Sequence, residues 1–464
     1  MAWYDLRAFL TALEERDALQ RVNVPVALEH ELAAIADRIS RRSDGGPALL
    51  FTKAGTAPLP VAMNLFGSRQ RMALALGVTD LAELSGRMAA CLAQDSELPP
   101  LLAMGPAPCQ EVVIDPPDCG FLPVPTAWPG DGSPVHDGRF LTLAQVVTRE
   151  RQGDRHNRGV YRVACFSGNE LGIHWRPGSG GSRHHASWSR AGEPMPVAIV
   201  LGGDPVTTFC ATLPLPEEMD ELALAGFLRG EPVSVARCLT SDLLVPATAE
   251  IIIEGLVDPL ATRPEGSCGN HTGYYAGGGQ VPLVRVTAVT MRRDAILPAT
   301  LVGPPPQENY WLALAGSRLL LPLLQQLAPE ITDIALPREG IYHGAAMVAI
   351  RKDRAGQGRE VLDRIWKSGW LGSARLLVIV DHDLAADDYG QVYWRALNHC
   401  VWGRDLVLAD PGNPTLPAGG RLGIDATRKL PGEAGGEAWP KPLAWPDEVQ
   451  ELITRRWREY GFTE

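Results

Sequence analysis

No run of apolar residues approaches the roughly 18 that a membrane-spanning helix needs. The longest strand-like runs, such as Leu376-Leu377-Val378-Ile379-Val380, suit buried strands. Basic charge is not in excess either. The formal net charge is −11, which excludes a general nucleic-acid binder, because such a face must displace counterions from phosphates. Phosphorylated small molecules stay open, since local groups hold them. The start, Met1-Ala2-Trp3-Tyr4-Asp5-Leu6-Arg7, lacks the basic lead and apolar core of a signal peptide, so a cytoplasmic location is expected. Cysteine is sparse: eight residues, no pair spaced Cys-x-x-Cys. A chain this long needs no disulfide staples, and buried reduced thiols are expected. No dinucleotide-binding glycine fingerprint opens a helix, and no internal repeat is visible. What remains is 464 residues at 45% apolar content, enough for two or three domains with ordinary cores.

Asp5 followed by Leu6, Phe9, Leu10 and Leu13 predicts a capped amphipathic helix. A strand over 19–26 and a helix carrying Leu32, Ile35 and Ile39 should follow. Proline is dense over 99–129, so that stretch should wrap a surface in extended form. From about Phe140 to Arg293 many short strands succeed one another, interrupted by a helix over 218–228. That rhythm favours a β-barrel or sandwich core. Gly277-Gly278-Gly279 predicts a flexible hairpin. Pro304-Pro305-Pro306 is a boundary, 308–327 one long helix stopped by Pro329, and strands then alternate with helices in an α/β pattern. Residues 446–460 predict a terminal helix.

Three segments carry chemistry. Asn157-Arg158-Gly159-Val160-Tyr161-Arg162 offers an amide oxygen suited to a hard cation and a guanidinium suited to a carboxylate. Five residues apart in a strand, the two point to opposite faces unless Gly159 re-aims one. The loop Arg263 to Tyr275 is rich in glycine and can approach a ligand closely; Glu265, held between Pro264 and Gly266, could grip an arginine and move protons. The segment 214–230 places Glu217, Glu218, Asp220 and Glu221 before or within the first turn of a helix. Acids there suit the helix dipole, and one is a candidate metal ligand.

Together with Pro194 to Pro205, Ala225 to Gly230 and Gly423 to Lys429, these segments resemble the UbiD family of decarboxylases, which use prenylated flavin mononucleotide (prenylated FMN). The resemblance covers nearly the whole chain. It implies a mixed α+β / α/β fold. Residues 1–303 would form a flavin-binding catalytic domain with a split β-barrel core at about 110–300. Residues 304–330 would be a linker helix, 331–445 a C-terminal α/β oligomerisation domain and 446–464 a C-terminal helix. It implies Asn157 and Glu221 as ligands of Mn²⁺, with K⁺ nearby, and Arg162 and Glu265 as the acid–base pair. Tyr161, Arg162, Ala211, Thr212 and Arg375 would contact the cofactor alongside those ligands. The partners it implies are a small carboxylic acid substrate, a flavin prenyltransferase that supplies the cofactor, and further copies of the chain, as a homodimer or higher homo-oligomer.

Two positions depart from the family pattern. A second acid is expected five residues after Glu265, but Asn270 stands there, and an amide is no acid; His271 beside it, or water, is the candidate relay. The family's metal-binding histidine aligns near Gly178 or Gly180, and a gap brings His184 or His185 into place, with His185 the preferred ligand. The expected reaction is reversible, non-oxidative loss of CO₂ from an aromatic or α,β-unsaturated acid. Two alternatives stand beside it: a cofactor-binding scaffold that has lost catalysis, and an oxidoreductase using ordinary FMN.

Overall fold

The computed structural model of the protein describes residues 3–93, 101–103, 106–341, 343–368, 370–372, 374–409, 420–436, 439–441 and 443–463. The first helix, Leu6–Glu14, is capped as expected: the Asp5 carboxylate accepts from Ala8 N at 2.8 Å. The strand that follows is shorter than 19–26. It ends at Val22, before Pro25, which has no N–H to give a ladder. It joins Ala48–Phe51, Val61–Met63 and Leu297–Pro298 in a small mixed sheet.

The centre is a closed barrel of six antiparallel strands. In chain order these are β1 (Phe140–Arg149), β2 (His156–Cys165), β3 (Glu170–His174), β4 (Met195–Leu201), β5 (Ile251–Pro264) and β6 (Gln280–Met291). Their spatial order is β5-β4-β1-β2-β3-β6, and β6 pairs back onto β5 to close the ring. Alternation decides the facing. Tyr161, Val163, Ile173, Val197, Ile199, Ile251 and Ile253 belong to one buried apolar cluster, while Arg162 and His174 take the opposite parity on their strands. The proline-dense stretch is not wholly extended. Within its described part a short 3₁₀ turn, Pro108–Gln110, leads into Val112–Ile114, which pairs with β6. Pro99 lies outside the described residues.

Helix Glu308–Leu327 carries the chain to the second sheet. Its first residue, Glu308, is buried, and its carboxylate accepts from Asn64 N (3.1 Å) and Phe66 N (2.9 Å). Glu308→Ala would leave both donors buried and unpaired, so the expected loss is about 2–4 kcal/mol in urea unfolding. The second sheet runs Ile331–Ala335, Ala345–Ile350, Leu376–Asp381, Arg421–Asp425, Leu406–Ala409, with parallel pairings at its centre. The terminal helix, Asp447–Arg456, is shorter than expected and buries none of its residues.

Candidate active site

A β-hairpin builds the first half of the site. Strands β2 and β3 pair Val163 with Ile173 and, one step further, Arg162 with His174. Glu265 arrives from the end of β5 with no exposed side-chain surface. Arg162 meets it as a fork: Nε lies 2.7 Å from one carboxylate oxygen and Nη2 lies 2.6 Å from the other. His174 Nδ1 lies 2.9 Å from the same Oε2, and His136 Nε2 lies 2.7 Å from the Glu265 carbonyl. Burial by itself would raise the Glu265 pKa. The hydrogen bonds from His174 and Arg162 outweigh it and hold the carboxyl below its usual range. Burial likewise opposes the Arg162 charge, and Glu265 more than restores it. Cys268, beside the guanidinium, is pushed up to about 12 by burial and is a thiol, not a thiolate.

Backbone packing holds Glu265 in place. Gly266 takes φ +76°, and a Cβ there would run into the Gly132 carbonyl. Gly278 lies as close to the backbone of Gly266, and Glu265 N donates to Gly279 O at 3.0 Å. The glycine run expected to be a flexible hairpin is therefore in part a close-packing device. Asp131 ties the loop from the other side, accepting from Gly269 N (2.7 Å) and Trp128 N (3.0 Å).

Asn270 and His271 belong to a different set. Asn270 sits at the turn of the Cys268–Gly269 and Tyr275–Ala276 ribbon, and its side-chain oxygen accepts from Thr272 N at 3.1 Å. The His271 ring stands edge-on to His343, with centroids 5.1 Å apart. Burial first, then His343 and Arg176, push the His271 pKa down to about 4, so its imidazole is neutral at neutral pH. Arg375 is exposed; its backbone N–H donates to Gly344 O at 2.8 Å, next to His343.

The other half of the site forms where β3 stops. Past Arg162, the outer edge of β2 has no strand partner among the described residues, and two backbone donors take other acceptors. Arg158 N donates to Glu221 Oε2 (3.2 Å), and Val160 N donates to Ala211 O (3.0 Å). This draws Asn157, Ala211, Thr212 and Glu221 to one edge. Asp220 caps the helix Glu221–Arg229 by accepting from Leu222 N and Ala223 N, which is why that helix starts later than the expected 218. Burial pushes the Glu221 carboxyl up to about 7. Tyr161 accepts from Gly181 N at 3.1 Å, and the Asn157 amide reaches its hydroxyl at 3.4 Å.

Gly180 lies against Asn157; a Cβ at 180 would overlap the amide oxygen. His184 follows Gly180 by one helical turn, and its Nδ1 lies 2.9 Å from the hydroxyl of Thr148, the cross-strand partner of Asn157. His185 instead stacks on Trp175 at 6.0 Å, its Nε2 3.2 Å from Ser189 Oγ. Among the described residues, no three His, Cys, Asp or Glu side chains converge as a metal cluster. The oxygens of Glu221 and Asn157 nonetheless fit a hard cation, and a buried carboxyl at about 7 is one that a cation would relieve.

His174 is the residue sequence reasoning missed. The turn Ser167-Gly168-Asn169 was its available signal, since a hairpin centred there brings 174 opposite 162.

Three family profiles match the chain: the 3-octaprenyl-4-hydroxybenzoate carboxy-lyase N-terminal domain over residues 10–88, the Rift-related domain over 102–305 and the C-terminal domain over 310–426. An uncharacterized protein of Archaeoglobus fulgidus is 37% identical over 485 residues, covering 99% of each chain. Among solved structures, the vanillic acid decarboxylase of Sedimentibacter hydroxybenzoicus in closed form superposes with TM-score 0.92 at 25% identity over 100% of each chain. The UbiD-class enzyme HmfF of Pelotomaculum thermopropionicum, in an evolved dimeric form in complex with prenylated FMN, superposes with TM-score 0.81 at 27% identity over 96% of this chain and 98% of that one. With all three of its domain profiles present in order along the chain, this protein belongs to the UbiD family of carboxy-lyases.

Proposed function

We propose that the chain catalyses reversible, non-oxidative decarboxylation of an aromatic or α,β-unsaturated carboxylic acid with prenylated FMN. The observation that carries this is the Arg162–Glu265 fork, 2.6–2.7 Å, between the β2–β3 hairpin and a fully buried carboxylate. Support outside the chain comes from its likeness to the vanillic acid decarboxylase and to the prenylated-FMN complex of HmfF.

When bound, the flavin supplies an acceptor for the electron pair of the breaking C–C bond, which no side chain stabilises well. Asn157 and Glu221 would hold it through Mn²⁺, with K⁺ nearby, and Tyr161, Ala211, Thr212 and Arg375 would contact it. Arg162 commits Nε and Nη2 to Glu265, and its positive charge would hold a substrate carboxylate. That charge fixes the carboxylate in its ionised form until CO₂ leaves. Glu265, held as a carboxylate, locks the guanidinium plane and takes part in delivering the proton that replaces CO₂. The apolar surroundings of Phe140, Ala164 and Phe166 favour a neutral product over a charged acid.

A flavin prenyltransferase supplying the cofactor is part of this reading, as is assembly into a homo-oligomer. Support for assembly comes from Tyr393, Trp394, Leu397 and Trp402, which stand exposed on the second-sheet region, as do Trp457 and Phe462 at the tail.

Gly180→Ala should push the Asn157 amide aside without unfolding the helix. The expected result is about tenfold weaker Mn²⁺ retention, by metal analysis after dialysis, with unchanged helical circular dichroism. The reading as a whole is tested by producing the protein with a flavin prenyltransferase and identifying the extracted cofactor by mass. Prenylated FMN bound together with Mn²⁺ is expected. Ordinary FMN with oxidoreductase turnover, or no flavin at all, would contradict it.

A further inference from the structure

The reaction above leaves His174 unused. Its Nδ1 lies 2.9 Å from Glu265 Oε2 and 3.1 Å from Arg162 Nη2. A guanidinium only donates, so Nδ1 can meet Arg162 only as acceptor and Glu265 carboxylate only as donor. The shorter contact and the charged acceptor select an N–H donated to Glu265. The His174 side chain is 44% exposed and that of Glu265 is 0% exposed. The imidazole is thus a path between the buried carboxylate and water.

Turnover needs such a path. Each decarboxylation consumes one proton: R–CO₂⁻ + H⁺ gives R–H + CO₂. The amide of Asn270 cannot supply it, and its oxygen is spent on Thr272 N. His271 is turned to His343.

Resting on the decarboxylase reading, we propose that His174 re-protonates Glu265 and so stands in for the acid missing at position 270. The Nδ1 proton passes to Glu265 Oε2 while Nε2 takes a proton from water. Glu265 then gives that proton to the carbon that lost CO₂, where the electron pair of the broken C–C bond becomes the C–H bond. The exposed ring exchanges with solvent back to the Nδ1–H form. His174 acts through Glu265 and need not touch the substrate.

Two reactions separate this proposal from the reading beneath it. Exchange of labelled bicarbonate into the substrate carboxylate needs C–C cleavage and re-formation but no proton on carbon. Net product formation needs both. In the loaded enzyme, His174→Leu should lower net turnover about 100-fold and leave exchange within about threefold. His174→Asn keeps an N–H for Glu265 but carries no relay, so its net turnover should stay as low, and added imidazole should restore part of it. Full turnover in His174→Asn would make the residue a spacer and overturn the proposal, as would loss of exchange in step with turnover. A gain of about tenfold in Asn270→Asp would also overturn it, by placing the required acid at 270. Absence of exchange in the unaltered enzyme would instead sink the decarboxylase reading. Independently of activity, histidine ¹⁵N spectra of the protein should show His174 as the Nδ1–H tautomer; an Nε2–H tautomer, with Nδ1 accepting from Arg162, would contradict the relay.

Discussion

Arg162→Ala should lower kcat/KM for decarboxylation by at least about 10³-fold, because it removes both the carboxylate clamp and the charge facing the reacting group. It should also destabilise the protein. Glu265 has no exposed side-chain surface, and without Arg162 its charge is buried with His174 as the remaining side-chain partner. Removing one partner of such a pair costs about 3–5 kcal/mol. The cost has a pH signature. In the intact protein the folded carboxyl titrates below the ordinary value of 4.5, so its stabilising contribution is complete above 4.5 and is lost as pH falls through the lower folded value. In the variant burial dominates and the sign reverses: the neutral carboxyl is favoured at low pH, and stability is lost as pH rises through the raised value. The stability gap between the two proteins should therefore be small near pH 4 and widen toward pH 8 in urea titrations. Arg162→Ala with Glu265→Gln should recover most of the stability and none of the rate. A single variant that stays within tenfold of the original rate would show that Arg162 does not carry the substrate.

Gly266→Ala should be nearly as damaging, although it touches no reacting group. The residue takes φ +76°, and its added carbon meets the Gly132 carbonyl, which cannot rotate away as a side-chain tip could. Left-handed strain and overlap together cost about 2–4 kcal/mol. The neighbouring Glu265 must move with the backbone, and a displacement of about 1 Å in such a site lowers rate about 100-fold. Gly277 is the control: among the described residues nothing lies within 4 Å of a Cβ there, so Gly277→Ala should stay within about 0.5 kcal/mol and keep its rate. Equal effects at 266 and 277 would mean that the loop is held by something other than this backbone contact.

Local pattern made much of the architecture legible. The alternation of β1 to β6 and the leucine- and alanine-rich helix Glu308–Leu327 follow from short-range periodicity. Arg162 and Glu265 could be singled out because side-chain chemistry and family resemblance coincide on them. Closure of the barrel was less accessible, since β6 also pairs with the distant β3, Leu283 opposite Gly172, a contact that no short window of sequence contains. His174 was hidden for the same reason: its meaning lies in its register opposite Arg162, not in its neighbours. The glycines misled in a different way. Gly278 looks like freedom in a sequence, but in space it is a contact with Gly266. The histidines at 184 and 185 are adjacent in the chain and diverge on the helix, one toward Thr148 and one toward Trp175, a distinction only the helix phase supplies.

The most direct test of carboxy-lyase chemistry at the Arg162–Glu265 fork is label exchange. The prenylated-FMN-loaded protein is incubated with ¹³C-bicarbonate and a panel of aromatic and α,β-unsaturated acids, and the carboxylate carbon of each acid is followed by mass. Entry of ¹³C into at least one acid is expected, abolished by Arg162→Ala in the folded variant. Entry that persists undiminished without Arg162, or no entry into any acid by a fully loaded enzyme, would contradict it.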